Sequence, residues 1–198
     1  MEAVAIDWDQ WRAEYAELSF AEQQAFYRQV AIAHPEQQHF DLDAAVEAFK
    51  LVDEDSFTVA ELGGWDGALA GELIARFPIL RWINWDIVAV EPQVCVDHRY
   101  FAVELDDWFW SERQSADVFV ATHMIEHIRA SELEELFDCL DVGYIYLEAP
   151  LTNEGQQWAG YRGSHILELG WREVTKLLTD RGYEPIYSGA ICGMWQST

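Results

Sequence analysis

The chain has 198 residues, the size of one domain with a small addition, so it is too short for two full enzyme domains. It carries 36 acidic against 12 basic residues, a formal net charge of -24, and 51% of its residues are hydrophobic. This apolar content predicts a folded core despite the charge. Because binding to nucleic acids and anionic membranes depends on Lys and Arg, the composition disfavours both kinds of partner.

The sequence shows no targeting or membrane segment. No apolar run approaches the roughly 18 residues of a membrane span, and the N-terminal stretch is acidic where a secretory signal needs a basic segment. Three cysteines, Cys95, Cys139 and Cys192, form no Cys-x-x-Cys pair, which argues against a disulfide framework and a structural zinc site. A cytoplasmic protein with reduced cysteines is expected, and its oligomeric state stays open.

Residues 1–55 are predicted to form an N-terminal helical cap. Ser19 is a candidate N-cap with Glu22 three residues later, and this helix should stop before Pro35. A second short helix is expected over residues 41–50, where apolar residues recur at helical intervals.

Residues 56–198 are predicted to form an α/β domain with a mostly parallel central sheet flanked by helices. Short apolar runs alternate there with helical stretches, which is the pattern of βαβ units. The predicted strands are Phe57–Leu62, Arg81–Trp85, Arg99–Leu105, Asp117–Ala121 and Tyr144–Glu148, with one or two more within Tyr183–Trp195. The predicted helices are Ala68–Phe77, Pro92–His98, Ser131–Leu140 and Gly170–Arg181.

The first predicted strand runs directly into the glycine-rich segment 63–67 and then into a helix. Glycine allows positive φ and lets a ligand approach the backbone, and a helix start offers free N–H donors. The segment therefore predicts a ligand-binding turn, with a simple helix-capping turn as the alternative. It fits the dinucleotide fingerprint poorly, because Trp65 stands where the backbone must approach a pyrophosphate.

An acid at the strand end followed by this turn resembles the first motif of class I S-adenosylmethionine-dependent methyltransferases, acid-x-Gly-x-Gly-x-Gly. Glu61, Gly63 and Gly67 match the motif, and Trp65 replaces its middle glycine. The resemblance implies a Rossmann-like fold and S-adenosylmethionine as the cofactor. Glu61 would reach toward the methionine amino group, and the backbone of Gly63, Gly64, Trp65 and Gly67 would border the cofactor.

Acids follow the next two strands as well. Asp86 lies 19 residues after Gly67, where a carboxylate can accept both ribose hydroxyls, although a solvated strand-end acid is the alternative. The resemblance extends the cofactor site to Ile87. After the third strand it implies that Leu105 packs on the adenine ring and that Asp106, with its neighbour Asp107 as the alternative, accepts from the adenine amine, unless these are ordinary surface residues.

The fourth strand and its continuation, residues 116–128, resemble the Asp-x-Val…Glu-His-Ile stretch of the ubiquinone-biosynthesis type of methyltransferase. Together the matched regions cover about residues 56–150 and lie in the family's order. Thr122, at the end of this strand, is included in the predicted cofactor site.

Two histidines are candidate catalytic bases. A sulfonium is already a good leaving group, so the protein must chiefly align the acceptor and exclude water. If the acceptor is a hydroxyl or a protonated amine, a base must also take its proton. His123 follows the fourth strand and His165 follows the fifth, at the edge where open α/β sheets bind ligands. A structural, hydrogen-bonded role is the alternative for each.

The spacing His123-x-x-Glu126-His127 also places metal-ligating residue types on one helical face. A Glu-x-x-Glu-His stretch with a later His binds metal in small-RNA 2′-O-methyltransferases, and the resemblance implies that His165 would join this set. A divalent metal is therefore an alternative, and a metal-assisted RNA methyltransferase is the runner-up function, although the net charge disfavours a nucleic-acid partner.

The sequence is thus interpreted as a methyltransferase that uses S-adenosylmethionine, releases S-adenosylhomocysteine and methylates O or N of a small neutral or cationic molecule. A noncatalytic nucleoside-binding protein of the same fold and a dinucleotide-dependent oxidoreductase are the alternatives from other classes. The polar loop 152–164 is predicted to close, with the N-terminal helices, over the acceptor.

Overall fold

The computed structural model describes residues 13–33, 40–88, 100–104, 114–151 and 165–198. Its main helices are α1 (Phe20–Ala33), α2 (Leu42–Phe49), α3 (Ala68–Ile74), α4 (Ala130–Cys139) and α5 (Trp171–Thr179). Its strands are β1 (Phe57–Leu62), β2 (Ile79–Asp86), β3 (Tyr100–Glu104), β4 (Gln114–Thr122), β5 (Leu140–Glu148), β6 (Tyr183–Ser188) and β7 (Cys192–Ser197). A 3₁₀ turn, Ile125–His127, follows β4.

The seven strands form one sheet in the order β3-β2-β1-β4-β5-β7-β6. The first five strands are parallel, whereas β7 runs antiparallel to both β5 and β6. The prediction of a mostly parallel sheet flanked by helices is therefore confirmed. The strand order reverses between β1 and β4, and in open α/β sheets the crevice outside the carboxyl ends at such a point is where ligands bind.

Helices cover both faces of the sheet, so its central strands are apolar on both sides. Val59 and Ala60 alternate on β1, and each belongs to a different buried cluster. One cluster holds the apolar side chains of α4 and α5, including Leu133, Phe137 and Leu178. The other holds those of α2 and α3. The carboxyl edge of the sheet is thus positioned by two packed layers.

Helix α2 begins at a side-chain cap and ends in the core. Asp41 is its N-cap, and the Ala44 N–H donates to Asp41 Oδ1 at 3.0 Å. At the other end, the buried Phe49 ring stacks on Trp82 with centroids 6.3 Å apart and also contacts Tyr146. Because α2 shares the core of the sheet, the start of this helix has a defined place beside β5.

The structure confirms the predicted strands and extends several of them. β2 begins at Ile79 instead of Arg81, because the fully buried Ile79 pairs with Phe57. The predicted helix over residues 92–98, the end of the third strand and the loop 152–164 lie outside the described residues. The division of the chain at residue 55 stays a prediction.

Two further findings concern the cysteines and the helices. Cys139 and Cys192 form no disulfide among the described residues, while Cys95 lies outside them. Among the described residues, no helix is long and apolar enough to cross a membrane.

Truncating Phe49 tests the docking of α2. Phe49→Ala removes a buried ring with four aromatic neighbours, so it should lower the free energy of unfolding by about 3–5 kcal/mol in urea denaturation. Leu51→Ala, two residues away at a side chain that is 43% exposed, is the control and should change it by roughly 0.5 kcal/mol or less. Equal losses in the two variants would contradict the proposed packing.

Candidate cofactor and acceptor site

The glycine turn after β1 contains three residues with left-handed backbone conformations. Gly63, Trp65 and Gly67 have φ of 79°, 48° and 78°. Trp65, which replaces the middle glycine of the resembled motif, adopts the positive φ that a glycine would take without strain. For a residue with a side chain this conformation costs about 1–2 kcal/mol, so the surroundings must impose it.

Three successive backbone N–H groups of the turn are bound by the end of β2. The Gly63 N–H donates to the Trp85 carbonyl at 2.7 Å, and the Gly64 N–H to Asn84 Oδ1 at 2.7 Å. The Trp65 N–H donates to Asp86 Oδ2 at 3.0 Å. Because Gly63, Gly64 and Trp65 each donate to an acceptor at the end of β2, these hydrogen bonds hold Trp65 in its left-handed conformation.

Gly63 and Gly64 have no room for a side chain, because other parts of the chain lie close to the turn on two sides. A Cβ on Gly63 would lie 2.8 Å from the Met124 Cβ, and a Cβ on Gly64 would lie 2.0 Å from Glu61 Oε2. Contacts this short are not tolerated, so the turn packs directly on the segment after β4 above and on the Glu61 carboxyl group below.

Glu61 is fully buried beneath the turn. Its Oε2 accepts a 2.7 Å hydrogen bond from the Trp82 indole, and its Oε1 has no hydrogen-bond partner among the described residues. Burial raises the pKa of Glu61 to about 8, although the Trp82 hydrogen bond works in the opposite direction. The side chain is therefore largely a neutral acid at pH 7, and its contact with a methionine amino group stays a prediction.

Asp86 lies at the carboxyl end of β2, beside the turn. Its side chain is 4% exposed, Oδ2 accepts from the Trp65 N–H, and Oδ1 accepts from the Val88 N–H at 3.1 Å. Burial raises the pKa of Asp86 to about 6, against the opposing effect of these backbone donors. A carboxylate has about four acceptor positions, more than these backbone donors use, so the group can still accept from a ligand hydroxyl.

Of the four remaining predicted cofactor residues, two lie within the described part of the chain. Ile87 follows β2 and is half-buried, and its carbonyl accepts a 3.1 Å hydrogen bond from Gln24 on α1. Thr122 is buried at the end of β4, and its register partner on the neighbouring strand β5 is Glu148. Leu105 and Asp106 lie outside the described residues. Their roles at the cofactor stay predictions.

His123 lies between two buried carboxylates, in a left-handed conformation with φ of 50°. Its Nδ1 is 3.4 Å from Glu126 Oε1, and its Nε2 is 3.3 Å from Glu148 Oε1. Burial lowers its pKa, but the hydrogen bonds to Glu126 and Glu148 outweigh burial and raise the pKa to about 9. An imidazolium that donates from both ring nitrogens neutralises part of this buried negative charge.

The predicted metal set is only partly brought together. Ligand atoms of Glu126, His127 and His165 lie within 4.8 Å of one another, and the two imidazole rings are 4.8 Å apart. Glu126 is 1% exposed, and its Oε2 has no hydrogen-bond partner among the described residues. His123 contacts Glu126 but lies outside this group. Two imidazoles and a carboxylate are a donor set that suits first-row divalent metals.

His165 reaches His127 because the chain returns to the 3₁₀ turn. The Ile166 and Leu167 N–H groups both donate to the Glu126 carbonyl, at 2.8 and 3.2 Å. Helix α1 approaches the same place, since the Tyr27 ring contacts the His127 ring at 5.8 Å. The carboxyl edge of the sheet is therefore in contact with the N-terminal helical region.

A cavity of about 620 Å³ opens between the start of α2 and the carboxyl ends of β4 and β5. Its apolar lining residues are Phe40, Leu42 and Ile191, and its polar ones are Asp41, Asp43, His123 and Glu148. The cavity has the size of small-molecule sites in proteins.

Sequence reasoning missed Asn84 and Glu148. Glu148 ends an apolar strand in the same way as Glu61 and Asp86, so the signal of an acid at a strand end was present. Asn84 lies inside β2, and only the pairing of β2 with β1 brings it beneath Gly64.

The raised pKa of Glu61 predicts a pH-dependent stability. The folded state keeps this proton up to about pH 8, while the unfolded chain loses it near pH 4.5, so the free energy of unfolding falls as pH rises through this window. In Glu61→Gln, a neutral isostere that retains an acceptor for Trp82, the fall between pH 6 and 8 should be smaller by on the order of 1 kcal/mol per pH unit.

Urea denaturation at several pH values measures this difference. Glu72→Gln on α3, whose side chain is 46% exposed, is the matched control and should keep the slope of the unchanged protein. A slope in Glu61→Gln equal to that of the control would show that Glu61 is ionised in the folded protein.

Comparison with known proteins identifies the fold. No family model and no curated protein matches the sequence. The 1,6-didemethyltoxoflavin-N1-methyltransferase of Burkholderia thailandensis, with bound S-adenosylhomocysteine, is 14% identical with a TM-score of 0.67, over 100% of this chain and 93% of that one. Magnesium protoporphyrin IX methyltransferase from Synechocystis is 14% identical with a TM-score of 0.57, over 96% and 94% of the two chains.

Human N-acetylserotonin methyltransferase, in complex with S-adenosylmethionine, is 19% identical with a TM-score of 0.56. The match covers 90% of this chain but 56% of the human one, so the chain spans little more than half the length of that relative. The narrower resemblance to the ubiquinone-biosynthesis type stays a prediction. The sheet order, the glycine turn and the structural relatives together show that the chain has the class I S-adenosylmethionine-dependent methyltransferase fold.

Proposed function

We propose that the chain is an S-adenosylmethionine-dependent methyltransferase that methylates O or N of a small molecule by in-line transfer. The observation that carries this proposal is the pairing of Asp86 with the glycine turn at the point where the strand order reverses. A carboxylate at the carboxyl end of β2, next to the backbone of a glycine turn, matches a ligand with ribose hydroxyls. The relatives crystallised with S-adenosylmethionine or its product support the choice of cofactor.

The residues of the chain have separate roles in this proposal. Asp86 holds the ribose, the backbone of residues 63–67 borders the methionine portion, and Glu61 supports the turn from below. Ile87, Thr122, Leu105 and Asp106 complete the cofactor site as the family resemblance implies. When bound, S-adenosylmethionine supplies a methyl group on a sulfonium leaving group, so the protein has mainly to align the acceptor and exclude water.

The two candidate bases differ in their surroundings. Both ring nitrogens of His123 face buried carboxylates, so His123 is suited to holding Glu126 and Glu148 in place. His165 lies after β5 against His127 and keeps the proposed role of a base for an acceptor that must lose a proton.

Replacing Asp86 tests the cofactor site. Asp86→Ala should weaken binding of S-adenosylhomocysteine by about 1.5–3 kcal/mol, tenfold or more, because the ribose loses its acceptor. Isothermal titration calorimetry measures this, with Asp53→Ala, an exposed acid in the loop after α2, as the control of unchanged affinity. An unaltered affinity in Asp86→Ala would mean that the ribose binds elsewhere.

The same titration separates the rival functions. Tighter binding of NAD than of S-adenosylhomocysteine by the unchanged protein would overturn the methyltransferase proposal in favour of an oxidoreductase. Binding of S-adenosylhomocysteine without turnover on a panel of hydroxyl and amine acceptors would favour the noncatalytic alternative.

A metal-assisted methyltransferase is the second candidate, favoured by the grouping of Glu126, His127 and His165. The buried Glu126 Oε2 without a hydrogen-bond partner among the described residues fits a ligand position for a divalent cation. These three residues would hold the ion next to the acceptor. An RNA acceptor is opposed by the net charge of -24.

Metal binding is measured directly, without an activity assay. If the chain is a metal-assisted methyltransferase, the chelator-treated protein should bind one Mn²⁺ in calorimetry. Glu126→Gln should lower this Mn²⁺ affinity at least tenfold because a ligand charge is lost. Glu135→Gln, an exposed acid on α4, is the control and should bind as the unchanged protein does. Absence of Mn²⁺, Co²⁺ and Zn²⁺ binding would remove the metal-assisted candidate and leave the first proposal in place.

A further inference from the structure

The cavity beside α2 lies next to the proposed cofactor site. His123 and Glu148 stand at the carboxyl ends of the neighbouring strands β4 and β5, and β4 pairs directly with β1, which leads into the glycine turn. The turn touches the segment after β4, because Gly63 packs on Met124, the residue after His123. Adjacent strands are about 4.8 Å apart, so a ligand in the cavity lies within reach of one at the turn.

The polar part of the cavity wall is negatively charged. Asp41, Asp43 and Glu148 contribute three carboxylates, and His123 contributes at most one positive charge. Three carboxyl groups and one imidazole therefore make up the polar part of the wall. No lysine or arginine is among the described residues that line the cavity.

The Glu148 carboxylate is held in place by the fold. The Asp41 N–H donates to Glu148 Oε1 at 2.8 Å, which attaches the start of α2 to the end of β5. Glu148 is fully buried, and its Oε2 accepts from the Tyr146 hydroxyl at 2.9 Å. The Glu148 carboxylate is thus a fixed part of the sheet edge, whereas Asp41 and Asp43 are exposed at the start of α2.

The rest of the wall is apolar. Phe40 and Leu42 flank Asp41 on the α2 side, and Ile191 closes the cavity from the turn between β6 and β7. Apolar walls with a few oriented polar groups are typical of sites for small organic molecules. A hydrated metal ion or a sugar would leave these walls without a partner.

The geometry points to this cavity as the acceptor site of the proposed methyltransferase, and to an organic cation as its ligand: a small amine, protonated when it binds, on an apolar body. The inference rests on the proposed function and names its substrate class. The carboxylates select the ammonium form, the apolar wall takes the carbon body, and an anionic acceptor is repelled by the same charges. Before transfer the ammonium gives one proton to a carboxylate of the cavity wall. The freed nitrogen lone pair then forms the bond to the methyl carbon as the bond from that carbon to sulfur breaks, and S-adenosylhomocysteine leaves.

Calorimetry with three probes of one shape tests the charge preference. With saturating S-adenosylhomocysteine, 2-phenylethylamine should bind at least tenfold more tightly than 2-phenylethanol, and phenylacetate should give no measurable binding. Phenylacetate or phenylethanol binding as tightly as the amine would overturn the inference.

A pair of double variants locates the binding. Asp41→Asn with Asp43→Asn removes two charges at the cavity and retains an N-cap for α2, because Asn caps helices as well as Asp. It should weaken amine binding about tenfold and leave phenylethanol unchanged. Asp53→Asn with Asp55→Asn removes the same charge from exposed residues that do not line the cavity, and it should leave amine binding within twofold. Equal losses in both double variants would overturn the assignment to the cavity.

Titration with S-adenosylhomocysteine alone distinguishes a failure of the acceptor inference from a failure of the proposed function. If the protein binds S-adenosylhomocysteine but not the amine, the acceptor inference is overturned and the proposed function stands. If it binds no S-adenosylhomocysteine, the proposed function fails first. Leu42→Trp, which places a larger ring in the cavity wall, should weaken amine binding while S-adenosylhomocysteine still binds, and an unchanged amine affinity in this variant would also overturn the inference.

Discussion

The attachment of the glycine turn to the end of β2 is the constraint on which the rest of the site depends. Parallel pairing of β1 and β2 brings Asn84 and Asp86 beneath the turn, and each accepts one of its backbone N–H groups. These bonds hold Trp65 in a conformation that normally requires glycine. The fold therefore keeps the shape of the turn although the chain lacks the middle glycine of the motif.

Buried acids at the carboxyl ends of parallel strands form the second level of organisation. Glu61, Asp86 and Glu148 end three strands of the sheet, and each is compensated differently. Glu61 lies under the turn with a raised pKa, Asp86 accepts backbone N–H groups, and Glu148 faces His123. This variety arises because burial penalises the charged form, so each carboxyl needs a proton, a donor or a counter-charge.

The described parts of the first helices contact this edge of the sheet. Phe49 fixes the end of α2 in the core, while Asp41 fixes its start at Glu148. Helix α1 contacts residues that follow β2 and β4, through Gln24 and Tyr27. The segment expected to close over an acceptor therefore supplies one wall of the cavity from which the acceptor class is inferred.

The sequence by itself determined the fold class, the strand order along the chain, the glycine turn and the acid after the second strand. These features depend on local patterns, since alternating apolar runs, glycines and strand-end acids are read without knowing any neighbour. The pairing of Asn84 with Gly64, the position of His123 between two carboxylates and the cavity beside α2 were decided only by the tertiary structure. Each requires residues at least 20 positions apart to meet, and such meetings are set by strand pairing and helix packing, which no local pattern encodes.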